Sequence, residues 1–281
     1  MIMRRVVVTD ADGPTASILV SSLKRRGHHV TALTDEIANL EADRIIPNWT
    51  LSNQSLVVLQ SAEVVIWLGR TYFLARANFE RDQVRVADFV TRGLERGNAK
   101  RLLLLSHLFA NAKRDDESFG AQREAELLLL GCTPDSLIFR TGVILGEGER
   151  KSAFERALTV RASNAILVPG RPDDRHRPLF RRDLVEALSD AVVGDRNGGC
   201  DLLGLAEVTT REIIRMLNPG KQVKVRYSSP FVFRAFSPAS KWALPDFLTP
   251  TASSAAGGRS EIRAEQNGLQ TMIDRLRAGG Q

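Results

Sequence analysis

The sequence predicts an α/β fold in which a doubly wound parallel sheet carries a small C-terminal lobe. Short apolar runs alternate with amphipathic stretches along the chain, which is typical of βαβ units. The first apolar run enters a turn at Gly13, and a helical stretch follows the turn directly. At 281 residues, the chain is long enough to bury the large core that such a sheet requires.

Six apolar runs predict the strands. They are Arg5–Thr9, His29–Leu33, Val64–Leu68, Arg101–Ser106, Asp135–Arg140 and Cys200–Leu203. The stretches between them predict helices. These are Thr15–Arg26, Phe79–Arg96, Ser118–Leu130, Ala153–Arg161, Arg182–Val193 and Thr210–Leu217. Four glycines lie just beyond helix ends, where a left-handed residue is expected. They are Gly27, Gly97, Gly131 and Gly194.

The C-terminal third predicts the lobe. We expect the Rossmann-type core over residues 1–165, and a mixed region over residues 166–281 that completes the sheet and forms the lobe. The sequence from Tyr227 to Ser260 is irregular and contains four prolines. Within it, Thr251–Gly258 consists of Thr, Ala, Ser and Gly, which predicts mobility, and Glu261–Leu276 predicts a closing helix.

Composition limits the classes of partner. The net charge is +6, but its 32 Arg and 7 Lys are interspersed with acids, and aromatic residues are sparse, so a nucleic-acid surface is not favoured. No apolar run approaches the ~20 residues of a membrane span. The first strand begins near residue 5 and leaves no room for a signal peptide, while Cys132 and Cys200 lie in apolar surroundings as expected of reduced thiols. We therefore expect a cytoplasmic protein.

The turn after the first strand departs from a phosphate-binding glycine loop. Such a loop reads G-x-x-G-x-x-G, because bare backbone must approach a diphosphate at a helix N-terminus. Here Gly13 is retained, Ala16 is a mild change, Asp10 replaces the first glycine, and Asp12 adds a second carboxylate. Each charge would repel a diphosphate by roughly 1 kcal/mol or more at ~4–6 Å and an effective dielectric near 20. An alternative is a turn that no longer binds a diphosphate, with Asp12 capping the helix.

Six features carry a resemblance to a known superfamily. They are Val6–Val30, Val64–Gly69, Asn78 at a helix start, Leu102–Ser106, Phe139–Gly146 and Pro178–Leu188. In order and spacing they resemble the short-chain dehydrogenase/reductase superfamily over roughly residues 4 to 226. The branch that the chain is most similar to is the atypical, NmrA-like or NAD-dependent epimerase/dehydratase-like group. The resemblance implies a Rossmann fold, a dinucleotide cofactor and a small-molecule substrate.

The superfamily's catalytic Tyr-x-x-x-Lys pair is absent. The aligned residues are Phe119 and Arg123. Phe119 has no hydroxyl and cannot pass a proton to a carbonyl oxygen, while Arg123 stays protonated but can still bind a ribose hydroxyl or a phosphate. Ser106 occupies the position of the superfamily's active-site serine, although His107 and Leu108 follow where a hydroxyl residue is often found.

The resemblance also implies which residues would line a dinucleotide. They are Gly13, Ala16, Asp35, Gly69, Arg70 and Arg123. Asp35 and Glu36 follow the second strand with no adjacent arginine, so NAD is favoured over NADP, whose 2′-phosphate would meet two carboxylates. Whether any cofactor binds stays open at this point.

Other side chains offer acid–base or anion-binding chemistry. His107 is the best-placed titratable group, and Tyr72 and Ser106 are further candidates for proton transfer, each with a structural role as the alternative. Arg70 either holds an anionic ligand or faces solvent, and the basic loop Arg171–Arg182 either meets an anionic partner or is simply solvated. The scattered His and Cys residues show no metal-ligand spacing.

Histidines just before the second strand, His28 and His29, are expected at the surface or in a turn.

Three functions remain open from the sequence. The first is a redox-silent member of the fold with a ligand-binding, regulatory or assembly role. Such a protein would bind a small-molecule ligand and would also bind a protein partner or form a homodimer. The second is an enzyme of altered chemistry, such as a cyclase, isomerase or dehydratase. The third is an NAD(P)H-dependent reductase or epimerase with a substitute proton donor.

Overall fold

A computed structural model describes residues 2–35, 39–50, 52–69, 79–111, 117–133, 135–146, 151–160 and 165–229. The strands are β1 (Arg5–Thr9), β2 (His29–Leu33), β3 (Arg44–Ile46), β4 (Val64–Trp67), β5 (Arg101–His107), β6 (Asp135–Thr141), β7 (Ile144–Leu145), β8 (Ala165–Pro169), β9 (Arg175–His176), β10 (Leu179–Phe180), β11 (Gly198–Leu202), β12 (Val208–Thr209) and β13 (Lys224–Ser228). The helices are α1 (Ala16–Arg25), α2 (Asn53–Ser61), α3 (Phe79–Glu95), α4 (Glu117–Leu130), α5 (Ala153–Leu158), α6 (Arg181–Ala191) and α7 (Thr210–Leu217), with a 3₁₀ turn at Leu108–Asn111.

Seven strands form one sheet in the order β11-β6-β5-β4-β1-β2-β3. Neighbouring strands from β6 to β3 run parallel. The strand order reverses at β1, where β2 lies on one side and β4 on the other, so the sheet is doubly wound. The predicted Rossmann-type α/β fold is confirmed, and all six predicted strands belong to this sheet.

The sheet is buried on the face that packs against α2, α3 and α4. Alternate strand residues such as Val65, Leu102 and Leu104 form one core cluster with Phe89 and Leu129 from the helices. Successive strand residues point to opposite faces, so the even-numbered residues of β5 face α3 and α4. This alternation decides which polar side chains near the strand ends lie on one face.

The chain divides into two compact units. One consists of Met1–Thr141, Gly148–Arg150 and Leu184–Asp201, and the other consists of Gly142–Glu147, Lys151–Asp183 and Leu202–Gln281. Among its described residues, the second unit pairs β7 with β10, β9 with β12 and β8 with β13 around a separate apolar cluster. The boundary after residue 165 stays a prediction.

Several short elements were not predicted. They are β3, α2, β8 and β13, together with the two-residue strands. Because β13 extends to Ser228, the predicted irregular segment is wrong at its first two residues, Tyr227 and Ser228. The stretches Thr251–Gly258 and Glu261–Leu276 lie outside the described residues.

The predicted left-handed glycines are confirmed at one helix end of four. Gly27 has a φ of 75°, whereas Gly97, Gly131 and Gly194 do not have positive φ. At Gly97 the constraint is space, because a Cβ there would lie 2.7 Å from the Cα of Gln60 and 2.8 Å from its carbonyl oxygen. Gly97 therefore permits close approach of two backbone segments.

We expect Gly97→Ala to lower the free energy of unfolding by more than about 2 kcal/mol, because backbone must move to admit the methyl group. The matched control is Gly131→Ala. Gly131 follows α4, and a Cβ added there has no atom within 4 Å. The control should change stability by less than about 0.5 kcal/mol. Urea unfolding measures both, and equal midpoints would contradict the expectation.

His28 is buried, contrary to the surface position predicted from the sequence. Only 4% of the residue is exposed, and its Nδ1 accepts a hydrogen bond from the backbone N–H of Arg4 at 3.3 Å. Burial lowers the pKa of His28, and the charges of Arg26 and Arg4 lower it further. His29, in contrast, is exposed as predicted.

Because its folded pKa is lowered, neutral His28 favours the folded state, and this contribution is present above the unfolded pKa of about 6.5. We expect it to be lost as the pH falls through the lowered folded pKa. The urea midpoint should therefore drop between pH 7.5 and 5.5, and His28→Gln should reduce that drop. His29→Gln is the control. If the His28 variant shows the same drop in urea midpoint as the natural chain, His28 is not the source of the pH dependence.

Candidate functional site

The turn after β1 has a left-handed residue where the sequence has an acid. Asp10 has a φ of 50° and is only 6% exposed, and its Oδ2 accepts a hydrogen bond from the Thr9 hydroxyl at 3.1 Å. A left-handed conformation suits glycine and is tolerated by aspartate. The turn thus retains a glycine-type backbone at this position and adds a buried carboxyl group.

Asp12 connects the same turn to the end of β2. Its Oδ2 accepts the backbone N–H of Asp35 at 2.7 Å, and Oδ1 of Asp35 accepts the Thr50 hydroxyl at 2.9 Å. The N-cap of α1 is Thr15, so the expectation that Asp12 caps this helix is wrong. Both the amide and the carboxylate of Asp35 already have partners within the protein.

Four of the predicted cofactor residues lie at one edge of the sheet. Gly13 lies in the turn after β1 and buried Ala16 begins α1, while Asp35 follows β2 and Gly69 follows β4 with a φ of 67°. The carboxyl ends of parallel strands meet at one edge, where ligands bind in open α/β sheets. Arg70 and Tyr72 lie outside the described residues.

Ser106 is held by a neutral side-chain network on the α4 face of the sheet. Its Oγ accepts a hydrogen bond from Nε2 of Gln122 at 3.1 Å, and Oε1 of Gln122 accepts Nε2 of Gln83 at 2.6 Å. The α4 residue that reaches Ser106 is therefore Gln122, whereas the adjacent Arg123 is exposed. The side chain of Phe119 lies outside what the structure describes.

A buried ion pair lies next to this network on the same face of the sheet, and together they form a polar row of Ser106, Gln122, Glu126 and Arg140. Arg140 donates from Nε and Nη2 to the two carboxylate oxygens of Glu126 at 3.2 and 2.8 Å, with 9% and 5% of the side chains exposed. Glu126 lies one turn beyond Gln122 on α4, and Arg140 is the register partner of Ser106. Sequence reasoning missed this row, although the four-residue spacing of Gln122 and Glu126 was a usable signal.

His107 is not brought together with Ser106. The two residues are consecutive in β5, so their side chains point to opposite faces of the sheet. His107 is 3% exposed, and its register partner on β6 is Thr141. The roles of Ser106, His107 and Tyr72 in catalysis stay predictions.

The loop Arg171–Arg182 is solvated only in part, because Arg171, Arg175 and Arg182 are exposed while His176 and Arg181 are buried. Nε2 of His176 lies 3.0 Å from Oγ1 of Thr210, and its ring meets Phe154 edge-on at 6.2 Å. Arg181 is buried and donates to Glu155 at 2.6 Å. The expectation of a solvated loop is therefore wrong for its two most informative side chains.

In the part of the chain that the structure describes, no three His, Cys, Asp or Glu side chains are grouped as metal ligands. Within the same residues, no helix combines the length and apolar character needed to cross a membrane. Neither Cys132 nor Cys200 forms a disulfide, and burial raises the pKa of Cys132.

Comparison with known proteins rests on structure. No protein-family model and no curated protein matches the sequence. MoeE5 in complex with UDP-glucuronic acid and NAD is 19% identical, with a TM-score of 0.67 over 80% of this chain and 85% of that one. The UDP-glucuronic acid 4-epimerase from Bacillus cereus, in complex with UDP-glucuronic acid and NAD, is 14% identical with a TM-score of 0.67 over 98% and 96%.

TunA, described as an NAD-dependent NDP-hexosamine 5,6-dehydratase of tunicamycin biosynthesis, is 14% identical with a TM-score of 0.64 over 89% of this chain and 99% of that one. These likenesses show that the chain shares its fold with those structures. The Rossmann fold that the predicted resemblance implied is thereby confirmed.

The buried pair gives a stability prediction. We expect Glu126→Ala to cost about 3–5 kcal/mol of unfolding free energy, since it leaves the Arg140 charge buried without its carboxylate. Asp88→Ala is the matched control, because Asp88 pairs with Arg92 at 3.1 Å with half of each side chain exposed. It should cost less than about 0.5 kcal/mol. Chemical unfolding compares them, and similar losses would argue against the special role of burial.

Proposed function

We propose that this protein is a redox-silent pseudoenzyme of the epimerase/dehydratase fold, which binds a small-molecule ligand without transferring hydride. The observation that carries the proposal is the turn after β1, where Asp10 and Asp12 occupy the region of a diphosphate-binding loop. Asp12 is also hydrogen-bonded to the amide of Asp35. The ligand would still bind at the carboxyl edge of the sheet, but a dinucleotide would not bind there.

Electrostatics supports this proposal. Two carboxylates at roughly 1 kcal/mol each would weaken diphosphate binding by about 30-fold. An adenosine ribose would in addition compete with Thr50 for the carboxylate of Asp35. Such competition removes part of the binding free energy that NAD-binding sites gain at the end of the second strand.

The helix α4 gives independent support. Phe119 stands where the superfamily has its tyrosine and supplies no hydroxyl. The Oγ of Ser106 accepts a hydrogen bond from Gln122, and Arg123 is exposed. At the two α4 positions of the superfamily's catalytic pair, the chain therefore has no hydroxyl to relay a proton beside a nicotinamide ring.

The similar structures favour a second candidate. MoeE5 and the Bacillus cereus epimerase hold NAD together with a UDP-sugar or UDP-sugar acid. An NAD-dependent epimerase or reductase with a substitute proton donor is therefore the alternative, with NAD favoured over NADP. An enzyme of altered non-redox chemistry that uses His107 or Tyr72 is the third candidate.

We also propose a cytoplasmic location, which is supported by two cysteines that form no disulfide. In a regulatory role, the protein would also bind a protein partner or form a homodimer.

Calorimetric titration with NAD, NADH, NADP and NADPH tests the proposal. We expect no binding tighter than about 1 mM for the natural chain, and at least a tenfold gain for NAD in an Asp10→Gly/Asp12→Asn variant, because two charges leave the turn. Asp88→Asn/Asp195→Asn, which removes two carboxylates at exposed positions, is the charge-matched control. Micromolar NAD or NADH binding by the natural chain would overturn redox silence and favour the NAD-dependent alternative.

A further inference from the structure

Thr141 is the last residue of β6 and is completely buried. Among the residues that the structure describes, its Oγ1 has no hydrogen-bond partner. Buried hydroxyl groups in folded proteins normally have a partner, and the exceptions often serve binding or catalysis. Valine has nearly the same shape and would avoid the cost of burying the hydroxyl. The hydroxyl of Thr141 therefore needs an explanation that the fold itself does not supply.

The imidazole of His107 lies beside Thr141. The two residues are register partners on β5 and β6, so their side chains project from the same face of adjacent strands that lie about 4.8 Å apart. His107 is also buried. A hydroxyl and an imidazole, each able to donate or accept a hydrogen bond, are thus placed side by side.

Both residues end their strands at the carboxyl edge of the parallel sheet. This edge is where open α/β sheets bind ligands. A useful contrast is Ser55 in α2, whose buried Oγ also has no partner within the described residues. Ser55 is the third residue of α2 and belongs to neither β5 nor β6, so it serves as a structural reference for the same orphaned group.

We propose that His107 and Thr141 form a binding subsite for a single uncharged oxygen, an alcohol or a carbonyl, of the small-molecule ligand. The inference rests on the proposed ligand-binding function. Each side chain can donate a hydrogen bond to a lone pair of that oxygen or accept one from its hydroxyl proton. Neither interaction requires a charged ligand. Because both are buried, binding requires local opening at the strand ends, which is common in ligand-binding segments.

The test uses the full chain with Thr141→Val, and with Ser55→Ala as the matched control. Both variants remove an orphaned hydroxyl, so both should keep or raise the melting temperature, by up to about 2 °C. The probes are UDP-glucose and UDP-glucuronic acid, which similar structures hold. We expect saturable binding by the natural chain and the Ser55 variant, and at least tenfold weaker binding by the Thr141 variant.

Ring ¹⁵N spectra of histidine-labelled protein give a second readout, since the chain has four histidines and His107→Gln assigns one signal. The probe should shift the His107 signal in the natural chain and not in the Thr141 variant. Three results would each overturn the subsite: equal binding by both variants, no saturable His107 shift with either probe, or a lower melting temperature for Thr141→Val alone. NAD binding would overturn only redox silence, so the two proposals fail separately.

Discussion

The parallel register of β5 and β6 decides which side chains of this protein act together. Ser106 pairs with Arg140 and His107 with Thr141, and the pleat directs the two pairs to opposite faces of the sheet. On the α4 face, Gln122 and Glu126 satisfy the first pair through amide and ionic hydrogen bonds. On the other face lies the imidazole and hydroxyl pair. The two faces therefore differ in chemistry as well as in packing.

The turn after β1 combines a glycine-type backbone with acidic side chains. Asp10 retains a left-handed backbone, and Asp12 places a carboxylate on the amide of Asp35. A carboxylate at this amide supplies internally the kind of negatively charged oxygen that a phosphate ligand would otherwise bring. These hydrogen bonds fix the turn, and on the proposed function they also reduce the free energy available for binding an anion.

The sequence predicted the elements whose periodicity is strong, and all six of the strands it indicated are in the sheet. It missed β8 and β13, because half-exposed strands with mixed composition carry a weak alternation signal. It placed His28 at the surface, because a polar residue beside a glycine resembles a turn. The register partners of Ser106 and His107, which are Arg140 and Thr141, were beyond reach, since strand register is set between segments more than 30 residues apart.

The two polar sites at the sheet edge together restrict the ligand. The acids lie at β1 and β2, the imidazole and hydroxyl pair lies at β5 and β6, and β4 separates them, so the sites are about 10–20 Å apart at ordinary strand spacing. A ligand that spans this distance meets carboxylates at one end and an imidazole and a hydroxyl at the other. An uncharged or cationic group beside β1 would satisfy the first site, and a hydroxyl or carbonyl would satisfy the second. On the proposed function, a dinucleotide would place its diphosphate at the acids and would not meet the first requirement, which the shared fold alone does not impose.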